Sequence, residues 1–351
     1  MASAPMLNME ARKTTTIKIV LIVAYFGQWP TWFPAFLQSC KYNPSIDWLF
    51  FTDCEIPDLS LNNVRFVPFT LEKFGVLASE KLGFKVELPF VYKICDFKPT
   101  FGVIFPDYIH DYDFWGHCDL DVVWGDIRNF INDNILSKYE IISARKEMIC
   151  GHFSLFRNNI RINSIFTKVP YYQGQLQVPK TGGFDEAAMT NIVQALAKKG
   201  EVLVYWSDWL VNYANSDLIK LGNPLLPTNW SQWLAHCVNP SRDRLIGRLG
   251  RCVNDWYWES GKLYHKVDEI MYIHFMTWKK SLKECYFTYS DDPKSFYISY
   301  SHIGLSKSDR PALNSQISSL LAFAKTQWNY EVWQPVFGRV RQALRRLQLN
   351  D

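Results

Sequence analysis

The ten residues from Ile17 to Phe26, IKIVLIVAYF, constrain this chain more than any other segment. A β-rich apolar run interrupted only by Lys18 has no polar face to turn to water, which predicts a strand buried on both sides. Such a strand needs helices on both faces of its sheet. The segment Pro30 to Cys40 has a Pro near its start and sets Trp32, Phe33, Phe36 and Leu37 on one helical face. Asp47 to Thr52 and Val64 to Val67 then read as second and third strands, and the alternation predicts a parallel α/β sheet. The first run is too short to span a bilayer, and Gln28-Trp29-Pro30 is a poor cleavage site, so neither an anchor nor a secretory signal is read there.

Further along, LPFVYKICDF (Leu88 to Phe97) is helical in period, and Pro99 is expected to end it. Phe114 to Cys118 suits a strand, with the polar Asp119 and Asp121 where it emerges. Glu140 to Ala144, Phe153 to Phe156 and Val202 to Trp206 read as further strands, and Glu186 to Lys198 as a helix. Beyond about Gln232 the texture changes to an antiparallel addition. Trp256 to Trp258 and Lys262 to His265 flank Ser260-Gly261 as a hairpin, and Ile270 to Phe275 and Phe296 to Tyr300 are late strands. Helices are expected over Asn314 to Ala324 and Val336 to Leu347. The predicted organisation is a polar tail over 1–15, a main α/β domain over 16–280, and a strand and amphipathic-helix extension over 281–351.

Composition narrows the function classes. With 48% hydrophobic and 21% charged residues the chain is globular, and its 351 residues suit one elaborated domain or two small ones. The 14 Trp, 18 Tyr and 24 Phe serve either a large core or the stacking of sugar rings. A net charge of +4 from 38 basic and 34 acidic residues, with one dense basic stretch from Arg339 to Arg346, does not indicate a nucleic-acid partner. Eight scattered cysteines without a Cys-x-x-Cys pair suit reduced thiols in a cytoplasmic protein, and Asn229-Trp230-Ser231 is then a chance glycosylation match. On the last predicted helix Val336, Phe337, Val340, Leu344 and Leu347 oppose Arg339, Arg341, Arg345 and Arg346. That face packs on its own domain or attaches peripherally to the anionic inner face of a membrane.

The chemistry centres on Asp119-Leu120-Asp121. Two carboxylates one residue apart at a strand end reach a hard divalent cation such as Mn²⁺ or Mg²⁺, which stabilises charge on a departing phosphate. A second match, Asp111-Tyr112-Asp113, lies in a polar approach loop, whereas Asp119 and Asp121 follow an apolar strand and precede Val122-Val123-Trp124. Ligands gather beyond the carboxyl ends of strands in open α/β sheets, which favours the later pair.

Taken in order, YKICDFKPTFG, FWGHCDLDVVWGDI and a late His in YIHFMTWKK resemble the GT-A glycosyltransferase superfamily from about Ile17 to Lys280, closest to a bacterial branch sharing Cys-Asp-x-Lys-Pro and Gly-His-Cys-Asp-x-Asp. The resemblance implies a GT-A (Rossmann-like) mixed, mostly parallel sheet flanked by helices, and hexosyl transfer from a nucleotide-sugar donor, UDP-sugar favoured. The acceptor it implies is a glycan or lipid-linked molecule of cell-surface polysaccharide synthesis. It places the metal on Asp119, Asp121 and His274, and donor contacts on Ala24, Tyr25, Phe26, Asp53, Lys93, Asp96, Lys98, Asp119 and Lys279. His274 departs from the glycogenin-like pattern of a following Gly and Lys-Pro-Trp, being followed by Phe-Met-Thr-Trp-Lys-Lys.

Several roles keep two readings. His274 is a metal ligand or a strand His satisfied by a hydrogen bond. Asp96 meets the donor or pairs with Lys93 on a helix surface. Asp53 lies near base or ribose, or forms a turn. Asp185 or Glu186, after Gly182-Gly183, is the catalytic base or a helix N-cap and first-turn Glu. Gly151 and His152 line the wall between donor and acceptor, or His152 belongs to the core. A metal-dependent nucleotidyltransferase or phosphohydrolase, and a non-catalytic carbohydrate-binding protein, are the competing classes, although the sequence has no P-loop or Rossmann glycine fingerprint.

Overall fold

In the computed structural model, which describes residues 17–207 and 256–309 except 147, 266, 276–278, 281, 300–301 and 307–308, the first apolar run is β1 (Ile19–Ala24). Val20 and Ile22 enter one core, and Ile19, Leu21 and Val23 enter the other, so the strand is buried on both faces. α1 (Phe33–Lys41) packs Phe33, Phe36 and Leu37 into the second core. The strands β2 (Ile46–Thr52) and β3 (Val64–Pro68) extend the sheet in parallel.

α2 (Leu71–Leu82) covers the opposite face with Phe74 and Ala78. This helix is absent from the sequence expectations above, yet it carries local signals: the Thr70 side chain accepts from Lys73 N, Glu72 lies in the first turn and Gly83 closes it.

The remaining strands of this half are β4 (Phe114–Cys118), β5 (Val122–Trp124), β6 (Ile141–Ser143), β7 (Phe153–Arg157) and β8 (Val204–Trp206). The main sheet runs β3-β2-β1-β4-β7-β6-β8. β1 to β4 are mutually parallel, β7 is antiparallel to both its neighbours, and β8 is parallel to β6. The expected class, a mixed and mostly parallel sheet flanked by helices with an antiparallel elaboration, is observed.

The segment ahead of β4 differs from expectation. Val91–Thr100 is a 3₁₀ run with Pro99 inside it, and a further helical turn, Phe101–Ile104, follows directly. Burial of Ile94, Phe97, Phe101 and Ile104 in the first core overrides the helix-ending tendency of Pro99. A period near three brings Lys93 and Asp96 into line on one side.

The elaboration is a six-stranded sheet, ordered β11-β10-β9-β14-β15-β13. It comprises β9 (Trp256–Glu259), β10 (Lys262–His265), β11 (Asp268–Ile270), β13 (Glu284–Cys285), β14 (Ser295–Ile298) and β15 (His302–Gly304). β9 and β10 form the expected hairpin. The single strand expected over Ile270 to Phe275 is instead broken at Met271. β11 stays with β10, while β12 (Tyr272–His274) crosses to pair with β5 and sets His274 opposite Val122. Trp48, Trp115, Trp124, Trp256 and Trp258 are fully buried, so for these residues the core explains the aromatic content. The N-terminal tail, the Asn229-Trp230-Ser231 match and the two C-terminal helices lie outside the described residues.

β4 leaves no room for a side chain at Gly116. An added Cβ would lie 2.5 Å from Ser154 O on β7 and 2.6 Å from Leu155 Cδ2. Gly116→Ala should therefore push β4 from β7 and cost about 1–3 kcal/mol by overpacking. Urea denaturation checks this, and a midpoint equal to that of the native chain would contradict it.

Candidate metal and donor site

β1, β2 and β4 end on the same edge of the sheet, and the loops that leave them are joined by local bonds. Gly27 N donates to Asp53 Oδ1 at 2.7 Å, tying the end of β2 to the loop after β1. Tyr25 stacks on Trp29 with centroids 5.6 Å apart and donates to Gln28 O, while Phe26 is buried and Ala24 is half-buried. The Asp119–Asp121 turn is pinned from three sides. Asp119 N donates to His152 O, Trp32 Nε1 donates to Leu120 O at 2.8 Å, and Phe275 N donates to Asp121 O. Asp113 lies at the opposite end of β4, where its carboxylate accepts from Lys18 N, so the earlier Asp-x-Asp match faces away from this edge.

One ligand atom each from Asp119, Asp121 and His274 fall within 4.8 Å of one another. Asp121 Oδ1 is 3.5 Å from His274 Nε2, and Oδ2 is 2.8 Å from Lys279 Nζ. Burial would raise the Asp121 pKa, but His274 and Lys279 together hold it far below the usual carboxylate range. Lys98 Nζ lies 2.5 Å from Asp119 Oδ1 and donates to Gly151 O at 2.7 Å. Burial opposes its charge, yet Asp119, Cys95 and Asp185 raise its pKa, so it is an ammonium ion. Two hard carboxylate oxygens and an imidazole nitrogen form a donor set that fits Mn²⁺ or Mg²⁺.

The other wall is built from the 3₁₀ run. Lys93 and Asp96 are fully buried and 2.8 Å apart, not paired on a helix surface. Asp96 accepts from Gly182 N at 2.9 Å and Phe184 N at 3.0 Å, and Lys93 donates to Lys180 O. The pair thus fixes the 180–184 loop. The chain then makes a π-helical turn, Phe184–Ala188, a form that recurs at functional sites.

That turn delivers Asp185 and Glu186 to Gly151. Glu186 Oε1 accepts from Gly151 N at 3.1 Å, and a Cβ on Gly151 would come within 2.4 Å of Asp185 Oδ2. Burial, with Glu186, Asp119 and Asp96 adding to it, pushes the Asp185 carboxyl up to about 7 against the pull of Lys98. His152 is buried and stacked on His274, with centroids 4.2 Å apart, and shares a 2.8 Å bond with Tyr272 OH. Burial lowers its pKa well below the usual histidine range, so it is neutral. Sequence reading missed Trp32 and Tyr272 as supports of the site. Their periodicity marked them as apolar, while their polar partners lie 88 and 120 residues away.

A model of a family of unknown function, DUF6625, matches residues 21–304. No curated protein matches the chain. Among solved structures, the apo form of the glycosyltransferase GlyE of Streptococcus pneumoniae TIGR4 aligns with a TM-score of 0.34 and 14% identity, over 60% of this chain and 50% of that one. The present chain thus spans about half the length of GlyE. The galactosyltransferase LgtC, in complex with donor and acceptor sugar analogs, aligns with a TM-score of 0.36 and 14% identity over 75% of this chain and 89% of that one. Mouse xyloside xylosyltransferase 1, in its apo form, gives a TM-score of 0.31 and 12% identity over 58% and 92%. These scores are too low to assign a fold or an activity.

The raised Asp185 pKa carries a stability consequence. The folded chain keeps this proton up to pH about 7, whereas an unfolded Asp releases it near pH ~3.9. Between these values the folded state binds more protons, so stability falls as pH rises. Asp185→Asn removes this penalty and should gain about 2–3 kcal/mol on the native chain between pH 5 and pH 8. Urea denaturation at the two pH values measures it; parallel pH dependences in the two proteins would contradict it.

Proposed function

This chain belongs to the DUF6625 family, whose function is unknown, and we propose that it is a metal-dependent glycosyltransferase. It moves a sugar from a nucleotide-diphosphate donor, UDP-sugar favoured, to a glycan or lipid-linked acceptor in cell-surface polysaccharide synthesis. The observation that carries the reading is the Asp119, Asp121 and His274 cluster beyond the end of β4, flanked by two ammonium groups and a carboxyl of raised pKa. Carboxylates, imidazole and lysines around one point suit a cation bound together with phosphates.

The three residues of the cluster would hold Mn²⁺ or Mg²⁺, which when bound would supply Lewis-acid stabilisation of charge on the departing diphosphate. Lys98 keeps Asp119 oriented and adds fixed positive charge where negative charge develops. Lys279, partly exposed at the rim, reaches the phosphates. Tyr25 and Asp53, at the ends of β1 and β2, receive the nucleoside. Asp185 is the group suited to take a proton from the acceptor hydroxyl, because a carboxyl with a pKa near 7 is partly ionised at neutral pH and still basic. Glu186 has one oxygen committed to Gly151 N, which favours Asp185 of the two. A base in this position implies a single displacement.

Melting temperatures measured with a panel of nucleoside diphosphates, with and without Mn²⁺, test the reading. The native chain should be stabilised by nucleotide only when metal is present, and Asp121→Asn should lose that effect and reduce transfer on the order of 10²–10³-fold. Saccharide binding that needs no metal and survives Asp121→Asn would point to a carbohydrate-binding protein. Turnover of nucleoside triphosphates would point to a nucleotidyltransferase or phosphohydrolase.

A further inference from the structure

One of the two oxygens that Asp121 could offer a cation already has an occupant. Lys279 Nζ is 2.8 Å from Asp121 Oδ2, and Lys98 Nζ is 2.5 Å from Asp119 Oδ1, so both carboxylates are neutralised by ammonium groups. The two lysines are not equivalent. The Lys98 side chain is 9% exposed, bonded also to Gly151 O, and carried on a buried 3₁₀ run, so it is fixed. The Lys279 side chain is 40% exposed and has no second bond holding its ammonium among the described residues, whereas Asp121 is 5% exposed. Its backbone is tethered nearby, since Lys279 N donates to Phe275 O and Phe275 N donates to Asp121 O. The ammonium can therefore swing outward while its Cα stays beside the site.

Charge balance then decides when it moves. Two aspartates and two lysines sum to zero around this point, and a divalent cation alone would leave two uncompensated positive charges in a partly buried site. A diphosphate alone would face carboxylates with no cation between. With both present, the negative phosphates balance the cation and receive the displaced ammonium.

We infer that Lys279 competes with the metal for Asp121 and yields it when a diphosphate is present to take the ammonium, so that metal and nucleoside diphosphate bind cooperatively. This rests on the donor class proposed above and adds the coupling between its two components. The roles of Lys279 in the two states are opposite: it opposes metal binding in the empty site and supports diphosphate binding in the filled one.

Mn²⁺ binding to the full chain, followed by electron paramagnetic resonance with and without UDP, tests the inference without relying on catalysis. In the native chain saturating UDP should tighten Mn²⁺ binding about tenfold or more. Lys279→Met should bind Mn²⁺ alone about tenfold more tightly than the native chain, while its coupling to UDP is smaller than the native chain's. Lys279→Arg retains the charge and should follow the native chain on metal alone. Unchanged or weaker Mn²⁺ binding in folded Lys279→Met, with native binding that depends on Asp121, would overturn the competition and leave the metal site standing. Absence of Mn²⁺ binding in the native chain even with saturating UDP, or native-like binding in Asp121→Asn, would overturn the metal site and this inference with it.

Discussion

The bond from Lys98 to Asp119 and Gly151 is the contact on which the site depends. It joins the turn after β4 to the residues before β7 and fixes both relative to the 3₁₀ run that carries the lysine. Two further charged residues on that run, Lys93 and Asp96, are spent on the loop ahead of Asp185. One short element therefore sets the distance between the Asp119, Asp121 and His274 cluster and the buried carboxyl. Placing three charged side chains in an interior costs several kcal/mol each before pairing, and buried ion pairs seldom exceed apolar packing in net stability. The arrangement supplies placement of the loops more than stability.

Gly151 is the point where these constraints meet. Its carbonyl accepts from Lys98, its amide donates to Glu186, and the space a side chain would fill is held by Asp185. Burial of that carboxyl, with the acidic groups of Glu186, Asp119 and Asp96 nearby, explains why its proton is retained to neutral pH against the pull of Lys98. On the opposite side of the cluster, His152 and Tyr272 support the ring of His274 as outer groups commonly orient a metal-binding imidazole. The same turn thus contributes a backbone hub at Gly151 and a packing partner at His152.

Much of the fold was legible in sequence wherever a local pattern dictated the outcome. The Ile17 to Phe26 run could be buried only as a central strand, and Phe114 to Cys118 delivered Asp119 and Asp121 to the strand end as expected. The hairpin at Ser260-Gly261 was similarly local. What escaped was set by distant partners. Neither sequence reading of Asp96, a donor contact or a surface pair with Lys93, includes its hold on the 180–184 loop, because the amides it accepts from are 86 and 88 residues away. Ile270 to Phe275 was read as one strand because its alternation does not record that Met271 marks a change of sheet. α2 was missed although its caps are local, because its buried stripe is narrow, with Phe74 and Ala78 alone fully covered.

The crossing of β12 to β5 matters most for function, since it brings a histidine from the elaboration to carboxylates on the main sheet. Anomalous diffraction from crystals grown with MnCl₂ and UDP tests that assembly directly. A manganese peak bounded by Asp119, Asp121 and His274, absent in Asp121→Asn crystals, is the expected result. A peak elsewhere, or UDP bound at this edge of the sheet with no manganese beside it, would contradict the assignment.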